Sequence, residues 1–196
     1  MPVHTSTSRR DFLTIGGGLL IGFSLSDSSS LPQLVAAETV ATPLPGRLDA
    51  WLRIAKDESV KVFTGKVDIG MGVQTALMQI VAEELDVPIA RVELIMGDTA
   101  TTPDQGGVGG STSISAGAKP LRNAAAAARH LLLQLAAARL GTRPEQLEVK
   151  NGIITAKGDP SKRVSYGTLV DGHELTEVLR VSGDGFAVNV DGCGKP

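Results

Sequence analysis

The sequence predicts an α+β domain in which a mixed sheet packs against helices, and three patterns indicate this class. Strand-like apolar runs at residues 51–55 and 60–65 predict a β-hairpin. Apolar residues at helical spacing predict a helix over 75–85, and an Ala and Leu-rich run predicts a second helix over 121–140. The dipeptide Asn151-Gly152 between two short apolar runs predicts a second hairpin.

The first predicted helix has a defined apolar face and a defined end. Leu77, Ile80, Val81 and Leu85 fall on one side of a helix with 3.6 residues per turn. Pro88 has no backbone N–H and cannot continue the helix. We therefore expect a helix that buries these four side chains and stops before the proline.

The middle of the chain alternates between regular and irregular patterns. Residues 92–96 predict a buried strand, whereas residues 101–117 form a Gly, Ser and Thr-rich loop without periodicity. Loops of this length in compact domains are usually functional or disordered. Pro120 suits the first turn of the second helix, and Gly141 suits its end.

The end of the chain gives weaker signals. The apolar run at 186–190 predicts a last strand without an evident partner. Two segments, 85–94 and 140–149, share the order of a helix end, a proline and the start of a strand. That similarity is too short to predict an internal repeat.

Composition excludes several functional classes. The chain has 196 residues, 42% of them hydrophobic, and a net charge of −2, which does not favour binding to nucleic acid. Cys193 is the single cysteine, so the chain cannot form an internal disulfide, a four-cysteine iron–sulfur site or a haem attachment site. Any such redox centre must lie on another chain.

The N-terminus has the pattern of an export signal. Residues 8–13 read S-R-R-D-F-L and precede a short apolar stretch, as in twin-arginine signals. Small residues at 35–37 suit signal cleavage before Glu38. We therefore predict a signal segment over 1–37, a linker over 38–47, a domain over 48–196 and a periplasmic location. An uncleaved segment that leaves the protein associated with the membrane is the alternative.

Two glycine-rich segments, 65–75 and 106–117, each precede a predicted helix. Glycine lets the backbone approach an anion closely, and a helix directs its first N–H groups and positive dipole end toward it. The pattern indicates binding of a phosphate or pyrophosphate, with ordinary tight turns as the alternative. Neither segment fits the standard nucleotide-binding motifs, because no G-K-[ST] follows and Thr75 replaces the third glycine of G-x-G-x-x-G.

Other catalytic patterns are absent or weak. Ser111 lacks the last glycine of a G-x-S-x-G elbow, and no metal-binding spacing such as H-E-x-x-H occurs, so we assign no catalytic or metal-ligating residue. We expect Glu83 and Glu84 to form a solvated helix face. Asp98 and Asp104 are expected to form turns and to order the loop.

Taken together, these segments resemble a known family. The run T-G-K-V-D-I-G-M-G-V-Q-T at 64–75, with I-V-A-E-E-L at 80–85, is similar to the molybdopterin-binding subunits of xanthine dehydrogenase and aldehyde oxidase-type enzymes. So are G-D-T at 97–99, T-P-D at 102–104 and G-S at 110–111, especially in the nicotinate dehydrogenase and isoquinoline 1-oxidoreductase branch. The resemblance extends from the arginine pair to about Gly185.

The resemblance implies that this fold is part of a molybdopterin-binding domain, and that two loops approach the cofactor. The implied cofactor-binding residues are Gly70, Met71, Gly72, Thr75, Gly110 and Ser111. Two positions depart from the family, since Met71 stands where Gln is usual and Val108 where Thr is common. Because both changes remove side-chain hydrogen bonds, we expect either weaker cofactor binding or contacts made by backbone amides instead.

The implied function is that of a molybdenum hydroxylase, which oxidises N-heteroaromatic compounds or aldehydes with oxygen derived from water. Its cofactor would be molybdopterin with molybdenum, in the cytosine dinucleotide form. Iron–sulfur clusters would lie on a partner subunit, with a c-type cytochrome as a further electron acceptor.

Such subunits continue for several hundred residues more and contain a catalytic glutamate that has no counterpart here. We therefore expect an N-terminal part that is inactive without the remainder of the large subunit. A noncatalytic remnant or a structural or interaction module is the alternative, and an independent phosphate-binding enzyme has less support.

Overall fold

A strand–helix–strand unit forms the first half of the fold. The computed structural model describes residues 47–171, 175, 179–182 and 189–190. Strand β2 (Val60–Thr64) leads through helix α1 (Val73–Leu85) to strand β3 (Val92–Met96), which pairs parallel to β2. Strand β1 (Leu52–Ile54) adds antiparallel to β2 on its other side, which confirms the predicted hairpin. The order β1-β2-β3 makes this sheet mixed, as expected.

Helix α1 starts and ends at left-handed residues. Gly72 precedes it with a φ of 72°, and Asp86 follows it with a φ of 56°. The buried side chains include Leu77, Val81 and Leu85, each with no exposed surface. Three of the four predicted side chains therefore pack into the core, whereas Ile80 is only partly buried. The helix ends before Pro88 as predicted.

The second sheet is antiparallel and consists of β4 (Leu147–Lys150), β5 (Ile153–Ala156) and β6 (Asp159–Ser165). Asn151 and Gly152 join β4 to β5 with φ values of 54° and 77°. Two successive positive φ values define the turn that Asn-Gly favours, so the second hairpin is confirmed. Strand β6 was not predicted, because its charged residues and proline suit only the sheet edge that it occupies.

The long helix α3 (Ala118–Leu140) contacts both α1 and the second sheet. Its buried face is made mainly of small side chains, including Ala124, Ala125 and Ala128, together with Leu132. Gly141 ends it with a φ of 64°, as the sequence predicts. Because alanines allow close approach of the backbone, this helix can contact several elements at once.

Two predictions were wrong in detail. The loop over 101–117 contains a four-residue helix, α2 (Thr112–Ser115), which is too short to give a periodic pattern. The last strand has a partner, since β8 (Asn189–Val190) pairs antiparallel with β7 (Val181–Ser182). Strand β7 has only two residues, too few to detect in the sequence. The rest of the predicted strand at 186–190 lies outside the described residues.

Helix, turn and strand do recur in the structure. After α1 and after α3, a left-handed residue is followed by a short 3-10 helix, Ile89–Arg91 in one case and Pro144–Gln146 in the other. Each 3-10 helix leads directly into a strand, β3 or β4. A further helix, α4 (Tyr166–Val170), follows β6 and is capped by the Ser165 side chain.

The predicted boundaries at 37 and 47 stay predictions, because residues 1–46 lie outside the described part of the chain. The described residues belong to one compact unit, Ala41–Pro196. None of its described helices combines the length and the hydropathy needed to cross a bilayer.

Candidate cofactor-binding loops

The two glycine-rich segments meet at their bases. The side-chain oxygen of Gln105 accepts hydrogen bonds from the Thr64 hydroxyl at 2.6 Å and from the Gly65 amide at 3.0 Å. Its side-chain nitrogen donates to the Gly117 carbonyl at 3.3 Å. One buried amide side chain thus joins the first loop to both ends of the second, although Thr64 and Gln105 are 41 positions apart.

Lys66 reinforces the same junction. Its side chain is fully buried, and its ammonium donates to the carbonyl oxygens of Gln105 at 2.5 Å and Gly107 at 3.1 Å, with Gly106 at 3.5 Å. Burial lowers the pKa of Lys66, and the nearby Asp104 carboxylate partly opposes this shift. Lys66 is not among the residues predicted for the site, because lysines are usually exposed.

Some glycines allow close packing and leave no room for a side chain. A Cβ atom added at Gly65 would lie 2.3 Å from the Pro103 carbonyl oxygen, and one added at Gly117 would lie 2.3 Å from that of Ser113. These two glycines therefore let the loop backbones touch. For these two positions, close packing within the chain accounts for glycine without a ligand.

Other glycines face open space. Gly70, Gly72 and Gly110 have φ values of +100°, +72° and +57°, and an added Cβ atom would meet nothing within 4 Å at any of them. Their conformation favours glycine, yet no packing against described residues requires it. These are three of the six predicted cofactor-binding residues, and the open space above them is compatible with a ligand.

The other three predicted residues are also exposed. Met71 keeps 55% of its surface, and Thr75 lies in the first turn of α1. Ser111 precedes α2 with a φ of 59°, an unfavourable conformation for a residue with a side chain, and its hydroxyl does not cap the helix. Strain of this kind is common at ligand sites. The assignment of all six residues to the cofactor stays a prediction.

The carboxylate of Asp68 already binds much of the first loop. It accepts hydrogen bonds from the amides of Gly70 at 2.9 Å, Met71 at 2.8 Å and Gln74 at 3.1 Å. These bonds, most of all the one from Gln74, lower the pKa of Asp68. The Gly70, Met71 and Gln74 amides are therefore engaged within the chain, so the predicted backbone contacts from this segment would have to come from other amides in the first turn of α1.

The acidic residues near the loops have structural roles. Asp98 accepts from the Ala100 amide and the Thr101 hydroxyl, and Asp104 accepts from the Gly106 amide, so both order the loop as predicted.

The expectation that Glu84 forms part of a solvated helix face was wrong. Its side chain is buried and accepts a hydrogen bond from Arg122 of α3 at 3.1 Å, because its side of α1 faces the long helix. Among the described residues, no three His, Cys, Asp or Glu side chains cluster as metal ligands.

Comparison with known proteins places this arrangement in a family. A nicotinate dehydrogenase subunit from Pseudomonas putida is 39% identical over 170 residues, which cover 86% of this chain and 14% of that protein. The beta subunit of isoquinoline 1-oxidoreductase from Brevundimonas diminuta is 27% identical over 186 residues, 90% of this chain and 23% of that protein. The chain thus spans less than a quarter of the length of these relatives.

The fold is also similar to part of a solved enzyme. The structure of reconstituted CO dehydrogenase from Oligotropha carboxidovorans matches with a TM-score of 0.56 and 28% sequence identity, over 61% of this chain and 15% of that one. The sequence further matches the molybdopterin cofactor-binding domain over residues 12–194, nearly its whole length. The chain therefore belongs to the molybdopterin cofactor-binding domain family.

Proposed function

We propose that this chain supplies part of the molybdopterin-binding surface of a molybdenum hydroxylase that oxidises N-heteroaromatic compounds or aldehydes with oxygen derived from water. The observation that carries the proposal is the pair of loops fixed at one base, with left-handed glycines that face open space, Gly70 and Gly72 in the first loop and Gly110 in the second. The relatives named for nicotinate and isoquinoline oxidation support the substrate class.

The residues of the two loops fit an anionic, polar cofactor. In the first turn of α1 the Gln74 amide donates to the Asp68 carboxylate, and the flanking Val73 and Thr75 amides point along the axis toward the N-terminal end, where the helix dipole favours negative charge. The hydroxyls of Thr75 and Ser111 are exposed and can donate or accept hydrogen bonds. When bound, the cofactor would supply the redox chemistry. The chain's own residues would bind and orient it.

The finer features of the complex are also proposals. The cytosine dinucleotide form of the cofactor would present a pyrophosphate, which suits two amide-rich loops better than a single phosphate does. Cys193 is the single cysteine, so the iron–sulfur clusters would belong to a partner subunit, with a c-type cytochrome as acceptor. Two relatives are themselves named as subunits, which supports a multi-subunit assembly with the remainder of the large subunit.

A pair of glycine variants tests the proposal. Gly72 and Gly158 have similar positive φ values, +72° and +91°, and an added Cβ atom has open space at both. Valine should therefore cost similar backbone strain at either position, but only Gly72→Val would place a side chain above the first loop.

Each variant should be assembled with the missing domains of a relative and with an iron–sulfur subunit, and then assayed for molybdenum and pterin per polypeptide. We expect Gly72→Val to lose most of the cofactor while remaining folded, and Gly158→Val to retain it. Equal cofactor contents would refute the loop assignment and favour the alternative, a noncatalytic structural or interaction module.

A further inference from the structure

Lys66 provides an unusual contact inside the second loop. Its ammonium is held by the carbonyl oxygens of three successive residues, Gln105, Gly106 and Gly107. A buried ammonium is unfavourable unless its hydrogens are bonded, so these carbonyls are the acceptors that stabilise it. The carbonyls therefore have to point inward, toward Lys66.

The inward carbonyls fix the direction of the neighbouring amides. All peptide bonds described are trans, and in a trans peptide the C=O and the following N–H point in opposite directions. With the Gly106 and Gly107 carbonyls directed at Lys66, the Gly107 and Val108 amides are directed away from it. Gly107 is exposed and Val108 is partly exposed. The described residues provide no acceptor for either amide.

The amide of Gly106, which precedes this pair, does have an acceptor within the chain. The Gly106 amide donates to the Asp104 carboxylate at 2.8 Å, so it is already engaged within the loop. The outward pair therefore begins at Gly107. The Gln105 side chain fixes the start of this segment, through its bonds to Thr64, Gly65 and Gly117.

We propose that Lys66 is a positioning residue, which turns the Gly107 and Val108 amides outward as a pair of donors for an anionic group of the bound cofactor. This rests on the proposed function for the identity of the ligand. It also explains how position 108 can contribute without a hydroxyl. The backbone amide of Val108 would donate the hydrogen bond that a Thr hydroxyl would otherwise make.

The test compares Lys66→Met with Lys157→Met in the 196-residue chain. Lys157 also donates to a backbone carbonyl, that of Glu145 at 3.1 Å, but it is exposed and lies in the second sheet region. Both variants lose one positive charge. NMR relaxation gives the backbone order parameters of the Gly107 and Val108 amides. Titration with inorganic pyrophosphate gives the affinity of these amides for an anion.

In the wild type and in Lys157→Met, we expect order parameters near 0.85, the value for rigid backbone, and pyrophosphate-dependent shifts of both amides. In Lys66→Met, the order parameters of these two amides should fall below about 0.6, while α3 keeps its values. Pyrophosphate binding should weaken at least about tenfold, since several bonds to a charged group are lost. Unchanged order and affinity in Lys66→Met would overturn the proposal.

A measurement on the wild type covers the case in which Lys66→Met does not fold. The ammonium nitrogen of Lys66 should show hydrogen exchange much slower than that of Lys157, and scalar coupling to the Gln105 and Gly107 carbonyls. Fast exchange without coupling would refute the positioning role. If the loop is ordered and binds pyrophosphate but the assembled complex takes up no molybdopterin, the proposed function fails and the role of Lys66 stands.

Discussion

Tyr166 donates its hydroxyl hydrogen to the Leu85 carbonyl oxygen at 2.9 Å, across 81 positions of sequence. Leu85 is the last residue of α1, so its carbonyl has no partner further along the helix. The Tyr166 amide also donates to the Gly152 carbonyl, in the turn between β4 and β5. The single tyrosine therefore joins the end of α1 to the second sheet.

Tyr166→Phe should lower the free energy of unfolding by about 1–2 kcal/mol, because the buried Leu85 carbonyl loses its donor. Denaturant unfolding measures this change. Leu169, which is also buried in α4 but forms no side-chain hydrogen bond, gives a conservative control as Leu169→Met. A Tyr166→Phe variant as stable as the wild type would show that the hydrogen bond contributes no net stability.

The same residue predicts a dependence on alkaline pH. Burial raises the pKa of Tyr166 above its ordinary value of 10.0, whereas in the unfolded chain the phenol ionises near that value. Stability from the neutral phenol is thus complete below pH 10 and is lost as the pH rises toward the higher folded value. The stability difference between wild type and Tyr166→Phe should shrink above pH 10. Absorbance of the phenolate reads this group alone, because the chain has one tyrosine.

Asp68→Asn should destabilise the start of α1. The carboxylate accepts from three amides, and its lowered pKa means that the charged form is the bonded one. Its contribution is present above the ordinary Asp pKa of 3.8 and is lost as the pH falls through the lower folded value. We therefore expect a lower melting temperature for the variant at pH 7, and a difference that shrinks below pH 4. A constant difference from pH 7 to pH 2 would contradict this account.

Gly117→Ala and Gly109→Ala form a matched pair within the second loop. The new Cβ atom at 117 would lie 2.3 Å from the Ser113 carbonyl oxygen and 2.8 Å from the Lys66 Cγ atom, whereas at 109 it would meet nothing within 4 Å. We expect Gly117→Ala to cost about 1–3 kcal/mol by overpacking. Gly109→Ala should stay within about 0.5 kcal/mol of the wild type. Thermal unfolding separates the two, and equal stabilities would mean that the loop adjusts freely.

Export can be tested independently of the fold. Fusion of residues 1–45 to a reporter should direct it to the periplasm, and replacing Arg9 and Arg10 by Lys should abolish that signal. The arginine pair is the defining feature of the twin-arginine route. Replacement by Lys is informative because it keeps both positive charges and removes only the guanidinium groups. Export of the double variant, or export in a strain without the twin-arginine pore, would exclude this assignment.

The sequence predicted the elements whose signals are local. The apolar face of α1, the Asn151-Gly152 turn and the Gly141 helix end each depend on residues within a few positions of one another, and the structure has all three. Strand β6 escaped prediction because its support comes from β5, which provides the hydrogen bonds that its own polar composition does not suggest.

The candidate site was only partly predictable for the same reason. The glycine pattern indicated both loops, and three glycines do face open space. The pattern could not indicate that Asp68 binds the amides of its own loop, or that Lys66 and Gln105 are buried. Those facts depend on which residues meet after folding, and polar side chains are expected at the surface until their partners are known.

The hydrogen bond between Thr64 and Gln105 leads us to expect an order of folding events. It joins residues 41 positions apart, so it is a non-local contact whose cost in chain entropy is repaid only after β2, α1 and β3 have assembled. A chain still emerging during synthesis therefore has no joined loops to present. We expect ligand capture to follow folding of this unit, so that a misfolded copy remains empty.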